Sequence, residues 1–391
     1  MYINIIVYKI KTLKIYHVLF CFFFFARAIA QEKKEMSEAT NSFLKTSALS
    51  PAVELGAMWP PMGIEALDPF ENNSIEYFLC LSSCVYISPN ANNLNPFWIT
   101  GFSDAESSFI VSIRKKKDTK LGWSVTPIFS ISLNKKDLQI LEKIQYFFGV
   151  GTITFNKKDD CYLFSVQSIK HIVNAIIPHF ERNPLLTKKR IDFLLFKSAA
   201  ELINAGEHLN LSGLQKIVNI RASLNKGLTD VLEKSFPDTK PVPRPAYKHM
   251  DIPNPNWFCG FVNGDGSFYV PISKSKSAVT GYNVRLGFSI WQHSRDVDLL
   301  TSFVNYMKAG FIAKNSSKPA CCYVVTGFND TVKIIIPFFE KYPLYGSKFC
   351  DFILFLEIAS LMKEKFHLTN EGLNKIKDIR SKMNLRRSDI S

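Results

Sequence analysis

The chain repeats itself once, and the repeat holds a single register. Residues 95–109 read NPFWITGFSDAESSF and residues 254–268 read NPNWFCGFVNGDGSF. Trp98 and Trp257, Gly101 and Gly260, Phe102 and Phe261, and Phe109 and Phe268 are all 159 positions apart. The same offset links Phe129 with Phe288, Asp137 with Asp296, Gly151 with Gly310, Pro178 with Pro337, Asp192 with Asp351, and Arg221 with Arg380. A gap-free register over such a distance means two copies of one domain, placed at 91–225 and 254–391. A period of domain size with only two copies excludes a solenoid.

Each copy carries the same pattern. A short apolar helix starts after Pro96 or Pro255, at the position where proline suits a first helical turn. Alternation follows. Phe109, Val111 and Ile113 face one way and Ser108, Ile110, Ser112 and Arg114 the other; Phe268, Val270 and Ile272 oppose Ser267, Tyr269, Pro271 and Ser273. A second strand places Phe129 and Ile131 in register with Phe288 and Ile290. Leu138, Leu141, Ile144 and Phe148 fit a helical face. Two strands after Gly151 and Gly310, then helices near 188–204 and 347–365, complete an α-β-β-α-β-β-α order. The predicted class is α+β, with helices on one face of each antiparallel sheet and the other face polar. Residues 226–253 contain Pro237, Pro241, Pro243, Pro245 and Pro253 and read as a semi-rigid linker without helix.

The opening helices carry the chemistry. Gly101 and Ala105, like Gly260 and Gly264, are small residues four apart on one helical face, which lets two backbones approach closely. The equivalent helix of the other copy is the natural partner. An acid follows each pair: Glu106 in copy one and Asp265 in copy two. Side-by-side helices bring these carboxylates together, where at about 5 Å and an effective dielectric near 20 they repel by roughly 3 kcal/mol. A divalent cation with oxygen ligands relieves that repulsion. The plainer alternative, that both acids simply end a helix, places negative charge at the unfavourable end of the macrodipole. A carboxylate pair with Mg²⁺ beside a basic surface is the equipment of metal-assisted phosphodiester hydrolysis.

GFSDAESSF and GFVNGDGSF resemble the two signature motifs of single-chain LAGLIDADG homing endonucleases, and the resemblance spans about 95–384. It implies two pseudo-symmetric domains whose β saddles lie in the DNA major groove, with the motif helices as the pseudo-twofold interface. It further implies that Glu106 and Asp265 are metal ligands and catalytic acids. Basic partners fall on Lys189 and Lys348, and an accessory polar residue falls on Gln292, where copy one has Leu133. Ser107 departs from the glycine usual in the motif and retained at Gly266; serine there is free of strain only if φ is negative. The implied activity is a monomer's metal-dependent double-strand cut in DNA that promotes intron mobility. An intron RNA-binding maturase on the same fold is the alternative.

The net charge of +14 asks for an anionic partner. Residues 1–90 hold seven basic and eight acidic side chains, so the whole excess belongs to the repeated part. An antiparallel ribbon fits the major groove and presents alternate residues to base edges. The base-reading candidates are Ser108, Ile110, Ser112, Arg114, Ser130 and Ser132 in copy one, and Tyr269, Ser273, Lys274, Arg285, Ser289 and Trp291 in copy two. A solvated sheet face would look similar, but Ile110 and Trp291 at outward positions fit it poorly. Lys116 within Arg114–Lys117, with Lys135–Lys136, Lys157–Lys158, Lys276, Arg295 and Lys314, reads as turn-borne phosphate contacts. Eight cysteines without a CxxC pair or a histidine cluster argue against both a disulfide scaffold and a zinc site.

The first ninety residues are of another kind. Lysines precede an apolar run at 15–26 ending in Ala26, Ala28 and Ala30, a pattern shared by a secretory signal and by a translated leader without structural role. Residues 54–71, ELGAMWPPMGIEALDPFE, resemble cytochrome c oxidase subunit III, a mitochondrially encoded protein. A reading frame that runs from a host exon into an intron gives such a join. It implies synthesis in a mitochondrion and a poorly ordered leader over 1–90, with export as the competing expectation.

Overall fold

The structure, a computed structural model, describes residues 94–384. The apolar run at 15–26, the oxidase-like stretch and the expected disorder of 1–90 lie outside the described residues. Helix α1 (Pro96–Glu106) opens copy one and runs into β1 (Ser107–Lys115) and β2 (Trp123–Asn134). Then come α2 (Leu138–Phe148), β3 (Thr152–Asn156), β4 (Cys161–Val166), α3 (residues 169–182), α4 (Lys189–Asn204) and α5 (Leu211–Ser223). After α6 (Asp230–Ser235), copy two repeats the order. It has α7 (Pro255–Asp265), β5 (Gly266–Tyr269), β6 (Ile272–Lys274), β7 (Tyr282–Val284), β8 (Gly287–His293) and α8 (Val297–Met307). It closes with β9 (Phe311–Lys314), β10 (Ala320–Val325), α9 (residues 328–341), α10 (Gly346–Lys363) and α11 (Asn370–Ser381).

The sheets are antiparallel, in orders β1-β2-β4-β3 and β5-β8-β10-β9. Period-two burial along β1 puts Phe109, Val111 and Ile113 in the core and turns Ser108 and Arg114 outward. Helices cover only the inner face. There Phe109 packs on Phe129, Phe180, Phe193 and Phe196 with ring centroids 5.3–5.4 Å apart. Copy two reproduces the cluster with Phe268, Phe288, Phe339, Phe352 and Phe355 at 5.1–5.4 Å. Five aromatic positions conserved in register explain why the repeat shows so clearly in phenylalanine. Each copy closes with an asparagine at positive φ that donates to its first strand: Asn225 to the Phe109 carbonyl at 2.8 Å, Asn384 to that of Phe268 at 2.9 Å.

Three expectations need correction. The linker is not free of helix, since α6 forms just ahead of Pro237 and buries Leu232 and Phe236. The rest of it is strapped to copy one, with Ser223 Oγ donating to the Val242 carbonyl at 2.6 Å and Tyr247 to that of Leu186 at 2.7 Å. Second, the first strand of copy two is not continuous: it divides into β5 and β6 around Pro271, which has no N–H to give the ladder, where copy one has Ser112. Third, α3 and α9 were not legible, because Pro178 and Pro337 stand inside them. Both follow a π turn, Ile172–Ile176 and Thr331–Ile335, and each proline opens the α-helical segment after it.

The copies meet along α1 and α7. Each helix is capped by an asparagine, with Asn95 Oδ1 accepting from Phe97 N and Asn254 Oδ1 from Asn256 N, both at 2.9 Å. At the crossing, a Cβ added to Gly101 would overlap the Trp257 carbonyl, and one added to Gly260 would overlap that of Trp98. A Cβ at Gly264 would press on Ala105 and the Glu106 side chain. The backbones touch because nothing projects between them. Gly101→Ala and Gly260→Ala should therefore each destabilise by about 1–3 kcal/mol or more, since only backbone can yield. Urea unfolding of each variant against the parent checks this.

Candidate active site

The C-terminal ends of α1 and α7 deliver Glu106 and Asp265 to the seam. Burial raises both carboxyl pKa values above the ordinary range, and for Asp265 the neighbouring Glu106 charge adds to it, bringing that group to about 6. Lys189 and Lys348 oppose the rise at both acids. Each lysine stands in the first turns of a later helix, α4 or α10, and reaches back to its own motif. Lys189 Nζ donates to the carbonyls of Ser103 (3.0 Å) and Ala105 (3.2 Å), and Lys348 Nζ to that of Gly266. Cations at those helix ends complement the macrodipole. Burial pushes both lysine pKa values down while the acids pull them up.

Gln292, on β8, donates from Nε2 to Asp265 Oδ2 at 2.5 Å. The matching Leu133 packs against the core and offers no such bond, so the two half-sites differ chemically. Ser107 has φ −82°, and its hydroxyl donates to the Ser103 carbonyl at 2.7 Å; serine fits this place without backbone strain. A cleft of about 520 Å³ opens beside Asp265, lined among others by Lys189, Gln292, Arg295 and Asp296.

Two supporting networks escaped the sequence reading. Asp104, two residues before Glu106, is buried and accepts from Leu186 N (2.8 Å), Thr187 N (3.0 Å), Thr187 Oγ1 (2.6 Å) and, across the seam, Trp257 Nε1 (3.0 Å). It thereby fixes the loop just ahead of Lys189. Asn263, its counterpart, accepts from Tyr345 N at 2.6 Å ahead of Lys348, and the Trp98 indole N–H has no partner. The second network also crosses the seam. Asp137 accepts from Ser347 N (2.6 Å) and Ser347 Oγ (2.7 Å), tying copy one to the first turn of α10 next to Lys348. Its counterpart Asp296 makes no such tie. It meets Arg295 at 3.3 Å and leaves one carboxylate oxygen buried without a partner. The signal was present, since Asp137 and Asp296 match in the repeat, but nothing in a linear sequence says that one of them caps a helix of the other copy.

Of the base-reading candidates, Ser108, Arg114, Ser132, Ser273, Lys274, Arg285 and Trp291 lie exposed, and Ile110, Ser112 and Tyr269 half-buried. Ser130 and Ser289 are only 8% and 4% exposed. Both stand on interior strands with paired neighbours on either side, which covers a short hydroxyl. Lys116 sits exposed in the turn between β1 and β2. Among the basic groups, Lys135 pairs with Asp160 at 3.0 Å.

The donor set suits a hard divalent cation. Glu106 and Asp265 bring half-buried carboxylates of raised pKa together at the seam. Among the described residues there is no group of three or more His, Cys, Asp or Glu, so further ligands would be water and substrate oxygens, as is usual for Mg²⁺.

A duplicated α+β chain with one acid and one lysine per copy at a shared seam defines a single-chain protein with two half-sites. The family described as LAGLIDADG endonuclease matches residues 99–200 and 258–359, and cytochrome c oxidase subunit III matches 37–94. The probable intron-encoded endonuclease 2 of Neurospora crassa is 40% identical over 77% of this chain and 67% of its own length. The probable intron-encoded endonuclease 3 of the same organism is 39% identical over 72% of this chain and 53% of its own. I-SmaMI bound to cleaved DNA aligns with TM-score 0.74 and 43% identity, over 77% of this chain and all of that one. I-LtrWI bound to target DNA aligns at 0.72 and 41%, over 75% and 98%. The chain belongs to the LAGLIDADG endonuclease family.

Two outcomes follow from these networks and charges. Asp137→Ala should cost about 0.5–2 kcal/mol, the usual worth of a helix cap, and denaturant unfolding measures it. Asp265 has a folded-state pKa above its ordinary 3.8, so its contribution to metal-free stability is complete below that value and lost as pH rises through about 6. Asp265→Asn should accordingly gain on the parent by about 1–1.5 kcal/mol between pH 5 and 7.5 in chelator. Unfolding curves at the two pH values test the sign.

Proposed function

We propose that the chain is a site-specific DNA endonuclease that makes a metal-dependent double-strand cut and thereby spreads the intron that encodes it. The observation that carries this reading is the meeting of Glu106 and Asp265 at the seam, each pKa raised by desolvation and opposed by the half-buried Lys189 and Lys348. Glu106 and Asp265 would hold Mg²⁺. The ion would supply water activation and would offset charge on the phosphodiester. Lys189 and Lys348 add fixed positive charge beside the scissile phosphates, which stabilises the charge that grows in the transition state. Gln292 orients the Asp265 carboxylate. Leu133 leaves Glu106 without that restraint, so the two strands are cut at unequal rates. Both half-sites lie in one chain, and no second protein is required.

Several findings support this. I-SmaMI has been solved on DNA, including an uncleaved target with calcium ions. It has also been solved with either or both of two lysines, 159 residues apart, changed to alanine. Lys189 and Lys348 are separated by the same distance. Relatives are named for ND4 intron 1 in Podospora anserina and a cox1 intron in Schizosaccharomyces pombe. With the subunit III match over 37–94, they favour a mitochondrial origin and an exon-derived leader outside the catalytic unit. No described helix is long and apolar enough to cross a membrane.

The target this predicts is the subunit III gene without its intron. Incubation of that DNA with Mg²⁺ should give a double-strand break with the parent chain. Glu106→Gln or Asp265→Asn should lower cutting by at least about 10²-fold, as loss of a group that stabilises the transition state does, while binding persists. Full cutting by both variants would overturn the assignment of the acids. Tight binding of intron RNA with no cutting of any DNA would replace the reading with a maturase.

A further inference from the structure

The outward faces of the two sheets are built from the same positions but not from the same chemistry. In copy one, the row across the sheet places Thr152 beside Ser165, Ser130 and Ser108, four hydroxyls on four strands. In copy two, the matching row begins with Phe311 beside Val324 before reaching Ser289 and Ser267. The next row repeats the change, with Ser132 and Thr154 in copy one standing where copy two has Trp291 and Ala313. Four hydroxyl positions in one copy are therefore apolar in the other. Phe311 and Trp291 are 53% and 51% exposed, Trp291 directly after the buried run Gly287–Ile290 of its strand and Phe311 at the start of a short strand at the sheet edge. Single exposed aromatics are ordinary. Two of them displayed on the face expected to meet DNA, at places where the sister copy keeps hydroxyls, call for a ligand with apolar features. In the major groove the one apolar group on a base edge is the C5 methyl of thymine, whereas serine and threonine hydroxyls pair with donors or acceptors of any base.

We propose that the two halves of the target are read by different chemistry: copy two selects thymine through its methyl groups, using Phe311, Trp291 and Ala313, and copy one reads by hydrogen bonds from its exposed hydroxyls, Ser108, Ser132, Thr152 and Thr154, the buried Ser130 and Ser165 only filling the row between them. This rests on the endonuclease reading above and adds which base feature each half recognises.

Uracil lacks only the thymine methyl and pairs identically, so it isolates the contact. The full-length chain is used to select bound duplexes from a randomised library in calcium. The selected target is then remade with uracil for thymine in one half at a time. One half should be enriched in thymine and should bind more weakly by about fourfold per methyl removed, the worth of one buried apolar carbon. The other half should change less than twofold. Phe311→Thr combined with Trp291→Ser should erase the sensitivity of the responsive half and leave the silent half silent. Equal sensitivity in both halves would overturn the inference, as would sensitivity that survives the double variant or a selected site without thymine enrichment. Selection of no duplex at all would instead overturn the endonuclease reading on which it depends.

Discussion

The contact between α1 and α7 at Gly101 and Gly260 is the constraint on which the rest of the structure depends. Two helix backbones touch there without side chains between them. That closeness sets two carboxylates against each other. An acid pair so placed is unfavourable by itself. The protein offsets it from both sides, with Lys189 and Lys348 drawn in from later helices and with a geometry that a divalent cation would satisfy. Burial, with the Glu106 charge added to it, leaves Asp265 with a raised pKa: the fold spends stability at its seam to hold a site ready for charge.

The duplication was legible because its strongest features are local or periodic. The motif pairs, the phenylalanines at matched offsets and the alternation along Ser108–Arg114 follow from burial on one side of a sheet. So did the small-residue face of the opening helices, and with it the approach of Glu106 to Asp265. The parts that stayed hidden are those in which local signals mislead. Proline usually ends a helix, yet Pro178 and Pro337 begin new α-helical segments after a π turn, so α3 and α9 were invisible to propensity. The linker's prolines concealed α6, which forms just before the first of them. Cross-seam bonds such as Asp137 to Ser347 join residues 210 apart, and no pattern in the chain marks that pairing.

The departures from exact symmetry are also informative. A homodimer must present two identical half-sites, whereas a fused pair is free to vary each. Here the variation is distributed through every layer. Gln292 faces Leu133 in the comparison of half-sites. Asp104 accepts the Trp257 indole, while its counterpart Asn263 leaves the Trp98 indole unpaired. Asp137 ties α10 across the seam, and Asp296 has no equivalent tie. The aromatic core and the helix crossing, by contrast, are the same in both copies. The fold has kept its aromatic core and its helix crossing and varied the polar bonds around them.

That division bears on how the two half-sites would work. Lys348 is anchored through a helix that copy one caps, whereas Lys189 is placed by a loop held within its own copy by Asp104, with one indole bond from copy two. Asp265 is oriented by Gln292, whereas Glu106 accepts no side-chain bond of that kind. Both lysines are thus held in place, whereas only copy two also restrains its acid. A more tightly held set of groups loses less on reaching the transition state. If the two acids act as proposed, the asymmetry in hydrogen bonding would favour the strand served by Asp265 as the one cut first, and the freer Glu106 as the acid that completes the break.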